Sequence, residues 1–219
     1  MKQIAAKNIV FMAVIITSIG TCDFFCKNTD SVNTQKSKSC KDSIECQISD
    51  EVYICSCKPA MPHPNGDKSI AFQGKYFGSG IHANCDERYL LKFNLDSIPD
   101  QAIITHARLE LYCLEMHGTS NGKMVYEPII ELWQSNSTTF NAKPAADTLN
   151  RILTGYPAAQ QWHVIDLTLI VKGWIEAKRP NYGIMCYGTN MTSTASAIYS
   201  TSKNSRENIR PILKIWFEK

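Results

Sequence analysis

Nowhere in the 219 residues do Lys and Arg reach the density that nucleic acid binding requires, and the formal charge of +3 is spread thinly. With no basic stripe beside them, the aromatic residues do not read as a nucleic acid platform. His82, His106 and His163 have no recognisable nucleophile context beside them. The carboxylates of a glycosidase must flank one bond, whereas the adjacent Asp86 and Glu87 would point to opposite faces of a strand. Asp166 reads better as a helix cap. Cys55-x-Cys57 and the three-residue gap between Cys22 and Cys26 lack the paired spacing of zinc ribbons, and no His stands at ligand distance in sequence. No internal repeat is visible. Nothing here calls for an enzyme, a metal or nucleic acid.

Long apolar runs are lacking too. The one near the start, Ile9 to Ile16, is about half of the roughly 20 residues a membrane-spanning helix needs. Lys2 and Lys7 precede it and Ser18, Gly20 and Thr21 follow, the order of a secretory signal over residues 1–22, with a signal-anchor as the alternative. Ile19-Gly20-Thr21-Cys22 is similar to a lipobox, although Thr is unusual just before the acylated Cys. Cys22 is therefore a lipidation candidate, against ordinary cleavage nearby, and a membrane contact is expected only through that lipid.

Cysteine, by contrast, is abundant. The nine are Cys22, Cys26, Cys40, Cys46, Cys55, Cys57, Cys85, Cys113 and Cys186. Disulfides persist in oxidising compartments, so the count supports a secreted or cell-surface location. If Cys22 carries lipid an even number remains for pairing; connectivity cannot be read from spacing. Residues 23–48 are polar, rich in Lys, Ser, Thr and Asn, and read as a Cys-containing tether ahead of a domain over 49–219.

The strongest pattern in that domain is Tyr89 to Glu115. Alternation places Tyr89, Leu91, Phe93 and Leu95 on one face of a strand, opposite Leu90, Lys92 and Asn94. After a turn at Asp96 to Asp100, a second strand sets Ile103, Thr105, Ala107, Leu109, Leu111 and Cys113 against His106, Arg108, Glu110 and Tyr112. Further strands are expected at 52–55, 70–72, 125–133, 162–167, 184–188, 197–200 and 211–217, the last with Leu213, Ile215 and Phe217 inward and Lys214 and Trp216 outward. Residues 145–153 read as a helical turn or two, and 74–84 as a Gly-rich loop. One short helix is expected at 168–177, because Leu167, Ile170, Val171 and Trp174 form one apolar stripe capped by Asp166 or Thr168. Many short strands, turn-rich links and one helix predict an all-β antiparallel sandwich.

Arg88 to Leu95 (RYLLKFNL), Ile98-Pro99 and Ile103 to Tyr112 (IITHARLELY) resemble the segment that defines the DNRLRE domain family, which is disaggregatase-related and overlaps a carbohydrate-binding-module family. Further landmarks in the same order are Asp50 to Tyr53, Pro64-Asn65-Gly66, Trp133 with Thr138 to Asn141 and Pro144, Val164 to Thr168, Trp174, Asn181 to Ile184, Tyr199-Ser200 and Arg210 to Leu213. The resemblance covers about residues 50–219; Phe140 replaces a usual Trp, and the cysteines and the Met116 to Val125 loop are extra. It implies a jelly-roll β-sandwich and a non-catalytic module binding polysaccharide. The alternative is a structural or adhesive envelope protein, stapled by disulfides and self-associating. Jelly rolls often hold a structural calcium ion, for which Asp50, Glu51 or Asp67 could supply oxygens; no D-x-D-x-D-G loop is present and no other cofactor is called for.

Sugar recognition on such a domain needs exposed aromatic faces with polar neighbours. Trp133, Trp162 and Trp174 lie at family landmarks and read as core. The candidates are the outward Trp216, Tyr112 and Tyr187, with Arg108, Glu110 and Lys214 beside them, and the loop of 74–84 with Tyr76, Phe77 and His82. Cys113 and Cys186, both in expected strands, are candidate partners for a core disulfide.

Overall fold

The computed structural model describes residues 41–61, 63–64, 70–76, 85–117, 122–189 and 196–219. The strands are β1 (Lys41–Cys46), β2 (Ile48–Cys55), β3 (His63–Pro64), β4 (Ile70–Tyr76), β5 (Cys85–Phe93), β6 (Ile103–His117), β7 (Met124–Pro128), β8 (Ile152–Thr154), β9 (Gln161–Asp166), β10 (Ile184–Gly188), β11 (Ser196–Ser200) and β12 (Ile212–Glu218). A single α-helix among them, α1 (Thr168–Ile175), follows β9.

Every pairing is antiparallel, and the strands make two sheets. In the front sheet β6 pairs along one edge with β12 and then β11, along the other with β9; β1 lies outside β12 and β4 outside β11. In the back sheet β5 pairs with β2 on one side and with β10 and the end of β4 on the other, and β7 and β8 extend beyond β10. β4 thus crosses from one sheet to the other. The chain is an all-β sandwich.

Between the sheets lies one large core. The back sheet supplies Tyr89, Leu91, Phe93, Tyr126 and Ile184, and the front sheet Ala107, Leu109, Leu111, Leu213, Ile215 and Phe217. Alternation in β12 is as expected, with Leu213, Ile215 and Phe217 buried and Lys214 and Trp216 turned outward. β6 departs from it at two places: near its end Ile198 faces Glu115 but Tyr199 faces Cys113, so Leu114 is an extra residue, and a second irregularity lies near its start. His106 faces Trp216 but Ile104 faces Phe217, so Thr105 is an extra residue in a bulge. The bulge flips the pattern, leaving Ile103 58% exposed and burying Ile104.

A second apolar cluster sits on the outer side of the back sheet. Val52, Ile54, Leu90 and Met185 pack there under Ile129 and Trp133, flanked by Phe140, Ala146 and Tyr182. Leu90, expected on a wet face, is fully buried because the segment after β7 folds back over it. The Asn-Tyr-Gly landmark anchors this cover. Asn181 Nδ2 donates to Phe93 O at 2.8 Å, and Trp133 Nε1 donates to Tyr182 O at 2.6 Å. Gly183 has φ +88°, and a Cβ there would lie 2.0 Å from Leu91 O, so only glycine fits.

The stripe beside the helix is as expected, with Leu167, Ile170, Val171 and Trp174 buried against the core. The helix itself ends at Ile175 and its N-cap residue is Leu167, without a side-chain cap, while Asp166 Oδ1 accepts from Thr168 N, the first helical residue, at 2.8 Å. Three further expectations are corrected. Residues 145–153 hold no helix; β8 begins at Ile152 and Ile129 bridges to Ala146. The polar stretch read as a tether to residue 48 already contains β1, tied to β12 through Ser43 opposite Trp216 and Glu45 opposite Lys214. Gly74, assigned to a loop, belongs to β4. The signal segment, Cys22, Cys26, Cys40, Asp67, Phe77 and His82 lie outside the described residues.

Candidate functional site

The two outer surfaces of the sandwich differ. The back one is covered. Among the described residues no cluster of buried apolar side chains covers the outer face of the front sheet, whose side chains are set by strand register. Along β6 the outward residues are His106, Arg108, Glu110 and Tyr112. His106 stands opposite Trp216, Arg108 between Lys214 and Asp166, Glu110 between Ile212 and Val164, and Tyr112 opposite Trp162.

One aromatic group therefore lies at each end of the face. At the first, the His106 and Trp216 rings are 5.2 Å apart at 35°, and the Arg108 guanidinium lies 5.1 Å from the Trp216 ring centre. At the second, Tyr112 and Trp162 meet edge to face at 5.3 Å and 80°. The Tyr112 hydroxyl donates to Gln160 O at 3.1 Å, which fixes its ring. Trp162 is 39% exposed and Val164 50%. Six residue steps along β6, from His106 to Tyr112, separate the groups, about 20 Å at strand rise, a length suited to an oligosaccharide rather than a single sugar.

Polar groups fill the interval. Glu110 forms ion pairs with Arg108 at 2.6 Å and Lys214 at 3.4 Å, and Lys214 also meets Glu45 at 3.1 Å. The hydrogen bond to Glu45 is the main reason the Lys214 ammonium titrates above its ordinary range. Asp166 is held below the usual carboxylate range, chiefly by the hydrogen bond from the Thr168 hydroxyl. That hydroxyl also lies 3.2 Å from His106 Nδ1.

Trp216, Tyr112 and Arg108 are thus brought together on one surface. Tyr187 is not among them. It lies on the outer side of the back sheet, where its hydroxyl donates to Glu127 at 2.7 Å and the Arg88 guanidinium sits 4.3 Å over its ring. Tyr76 lies in β4, its side chain not described. Trp162, assigned to the core, is corrected: alternation in β9 turns His163 and Ile165 inward and Trp162, Val164 and Asp166 outward. The presence of Asp166 on the same face as Trp162 was the signal that the face is wet.

His163, beneath this surface, is buried and structural. Its Nδ1 lies 3.0 Å from the Tyr126 hydroxyl and 2.7 Å from that of Tyr199, and Nε2 lies 3.0 Å from Thr154 Oγ1. Burial pushes its pKa down to about 4. Asp86 forms an ion pair with Arg88 at 2.9 Å, while Glu87 is buried with Tyr53 donating to it at 2.7 Å. Those two carboxylates do not flank a common point. Asp50 and Glu51 are hydrogen-bond acceptors. Asp50 takes Ser135 N at 3.2 Å, and Glu51 takes the Tyr89 hydroxyl and Ser202 Oγ, the latter at 2.6 Å.

A cavity of about 500 Å³ lies beside α1, with Ile129, Trp174 and Tyr182 in its wall and Asp147 and Arg179 at its rim. Asp166 and Thr168 are also among its lining residues. The strand face, by contrast, offers a polymer an open track about 20 Å long at strand rise.

Among the described cysteines one disulfide is formed, Cys57–Cys85. Cys46, Cys55, Cys113 and Cys186 are buried thiols. The expected Cys113–Cys186 bond is therefore absent. Cys113 is on the front sheet and Cys186 on the back one, and stacked sheets stand about 10 Å apart, beyond the roughly 7 Å between Cα atoms that a disulfide spans. Burial pushes the Cys46 and Cys113 thiols up to about 11.

No curated protein matches the chain. A family model does, over residues 72–216, a span holding β5 to β11, α1, most of β4 and most of β12. Its match covers more than half of the sequence: the chain belongs to carbohydrate-binding module family 96.

Proposed function

We propose that this chain is a non-catalytic, polysaccharide-binding module of an exported or cell-surface protein, and that the glycan lies along the outer face of the front sheet. One observation carries the location: two part-exposed aromatic groups, His106–Trp216 and Tyr112–Trp162, share that face with ion-paired Arg108, Lys214 and Glu110 between them. Aromatic rings offer apolar faces to the C–H side of a sugar, and fixed charged groups beside them accept and donate hydrogen bonds to its hydroxyls. Ion pairs already formed hold Arg108 in place before ligand arrives, which lowers the ordering cost of binding. The Cys57–Cys85 bridge supports an oxidising compartment. The landmarks of the DNRLRE type support a narrower kinship within this fold. They also explain themselves structurally, since Trp133, Asn181 and Gly183 hold the cover of the back sheet.

Electrophoresis of the full chain through gels cast with neutral or acidic polysaccharides tests the reading. Retardation by at least one polymer is expected. Trp162→Ala and Trp216→Ala should each weaken it by about tenfold, the upper end for loss of an aromatic contact. Tyr187→Phe should leave it unchanged. Folded protein that no polysaccharide retards would overturn the function; retention untouched by both Trp variants would overturn the location.

A further inference from the structure

Where β2 ends, two other cysteines surround a buried thiol. Cys55 is 1% exposed and accepts a hydrogen bond from Cys57 N at 3.3 Å. The sulfurs of Cys55, Cys57 and Cys85 all lie within 4.8 Å of one another, with Cys55 and Cys85 buried and Cys57 exposed. Cys55 pairs with Glu87 across the ladder, and Cys85 is two residues further along the same face of β5. Two of the three sulfurs are joined, so the third is a thiol held against a disulfide. Exchange requires only a thiolate within reach of a disulfide sulfur, and consumes no oxidant.

We propose that Cys55, Cys57 and Cys85 form a thiol–disulfide exchange centre, which makes Cys57 a modification site for disulfide-bearing molecules. The Cys55 thiolate attacks Cys85 Sγ; a Cys55–Cys85 bond forms, the Cys57–Cys85 bond breaks, and Cys57 leaves as thiolate. The proton lost by Cys55 is balanced by the one Cys57 takes up. Electrons are conserved and the chain keeps one disulfide throughout. What changes is exposure. Before the step the free thiol is buried at Cys55; after it the free thiol is at Cys57, in the exposed turn that follows β2. There it can attack an external disulfide R–S–S–R, forming Cys57–S–S–R and releasing R–S⁻. The parts that move are the ends of β2 and β5 and the turn of residues 56–61, which is held to β5 by Ser56 N to Asp86 O at 2.8 Å and Asp86 N to Ser56 Oγ at 2.7 Å. The turn is also held to the segment after β7 by Asn141 N to Pro59 O at 3.0 Å, and within itself by Lys58 N to Cys55 O and Met61 N to Lys58 O, each 3.1 Å. This centre lies outside the proposed glycan face and stands or falls separately from it.

The test is native alkylation of the full chain with N-ethylmaleimide, followed by non-reducing digestion and tandem mass spectrometry, which separates Cys55 from Cys57 on one peptide. The expected result is label accumulating on Cys57, faster as pH rises, in molecules that carry a Cys55–Cys85 bridge. A second arm uses Cys57→Ser, in which the bridge Cys55–Cys85 should form outright. Label confined to Cys55, label on Cys57 in molecules with Cys55 free, or no label on Cys57 under native conditions would each overturn the proposal. Recovery of Cys55 and Cys85 as two free thiols in the folded Cys57→Ser chain would do so as well.

Discussion

The two sheets share a core but treat their outer faces in opposite ways. On the back sheet, β2, β5 and β10 carry apolar residues on both sides, and Leu90 and Met185 are as buried as Leu91 and Ile184. On the front sheet β12 and β9 alternate strictly, and what faces outward is Trp162, Val164, Lys214 and Trp216. A sheet buried on both faces is construction; one buried on a single face leaves a surface free for recognition. The difference comes from the segment after β7, which crosses the back sheet and has no counterpart among the described residues of the front.

That contrast is most sharply broken at Trp133. It is 6% exposed, fills the second cluster and donates to Tyr182 O. Trp133→Ala removes a large buried ring and leaves a carbonyl without its donor, a loss of about 3–5 kcal/mol. Urea denaturation should show this, while the folded fraction keeps its glycan retention. Lost retention in protein that is still folded would mean the two faces are coupled.

The inner faces differ as well, and acid should expose it. His163, inward from the front sheet, is pushed down to about 4, whereas Glu87, inward from the back sheet, is pushed up to about 7. Burial is the leading cause in both; Asp86 adds to it at Glu87, against the hydrogen bond from Tyr53. As pH falls from 6.5 to about 4 the unfolded chain takes a proton on His163 that the folded chain refuses, so stability falls by about 3 kcal/mol. Between pH 7 and 4.5 the folded chain takes a proton on Glu87 before the unfolded one does, so stability rises by a similar amount, about 3 kcal/mol. The two offset each other. Denaturation midpoints of Glu87→Gln should therefore drop steeply below pH 6.5, and those of His163→Gln should climb as pH falls from 7. Parallel profiles in both variants would show that neither group is buried as described.

Strand positions and the single helix were legible because burial there follows period 2 or 3.6, as at Leu213, Ile215 and Phe217 or Ile170, Val171 and Trp174. Ile103 misled because a bulge is set by the register of two strands, here β6 against β12, and leaves no mark in one of them. Leu90 misled for a related reason: whether a second face is covered depends on a segment some forty residues away, Ile129 to Trp133. The site was half legible. Trp216, Arg108 and Tyr112 alternate with core residues in their own strands, but Tyr187 does so too, and only the topology tells the open face from the covered one. Trp162 was lost to its landmark position, although Asp166 on the same face argued otherwise.

The smallest expected effect bears on which glycan the open face prefers. Glu110 is 8% exposed and forms ion pairs with both Arg108 and Lys214. Glu110→Gln keeps the shape and removes the charge; because both cations stay partly solvated, the stability loss should be about 1 kcal/mol or less. The binding consequence is larger than the structural one. Arg108 stays against Trp216, now without the Glu110 carboxylate, and Lys214 retains its ion pair with Glu45. Retention by an acidic polysaccharide should then rise and become more salt-sensitive, while retention by a neutral one stays level. If the two polymers respond alike, the ion-paired centre of the face does not touch ligand, and recognition rests on the aromatic groups at its ends alone.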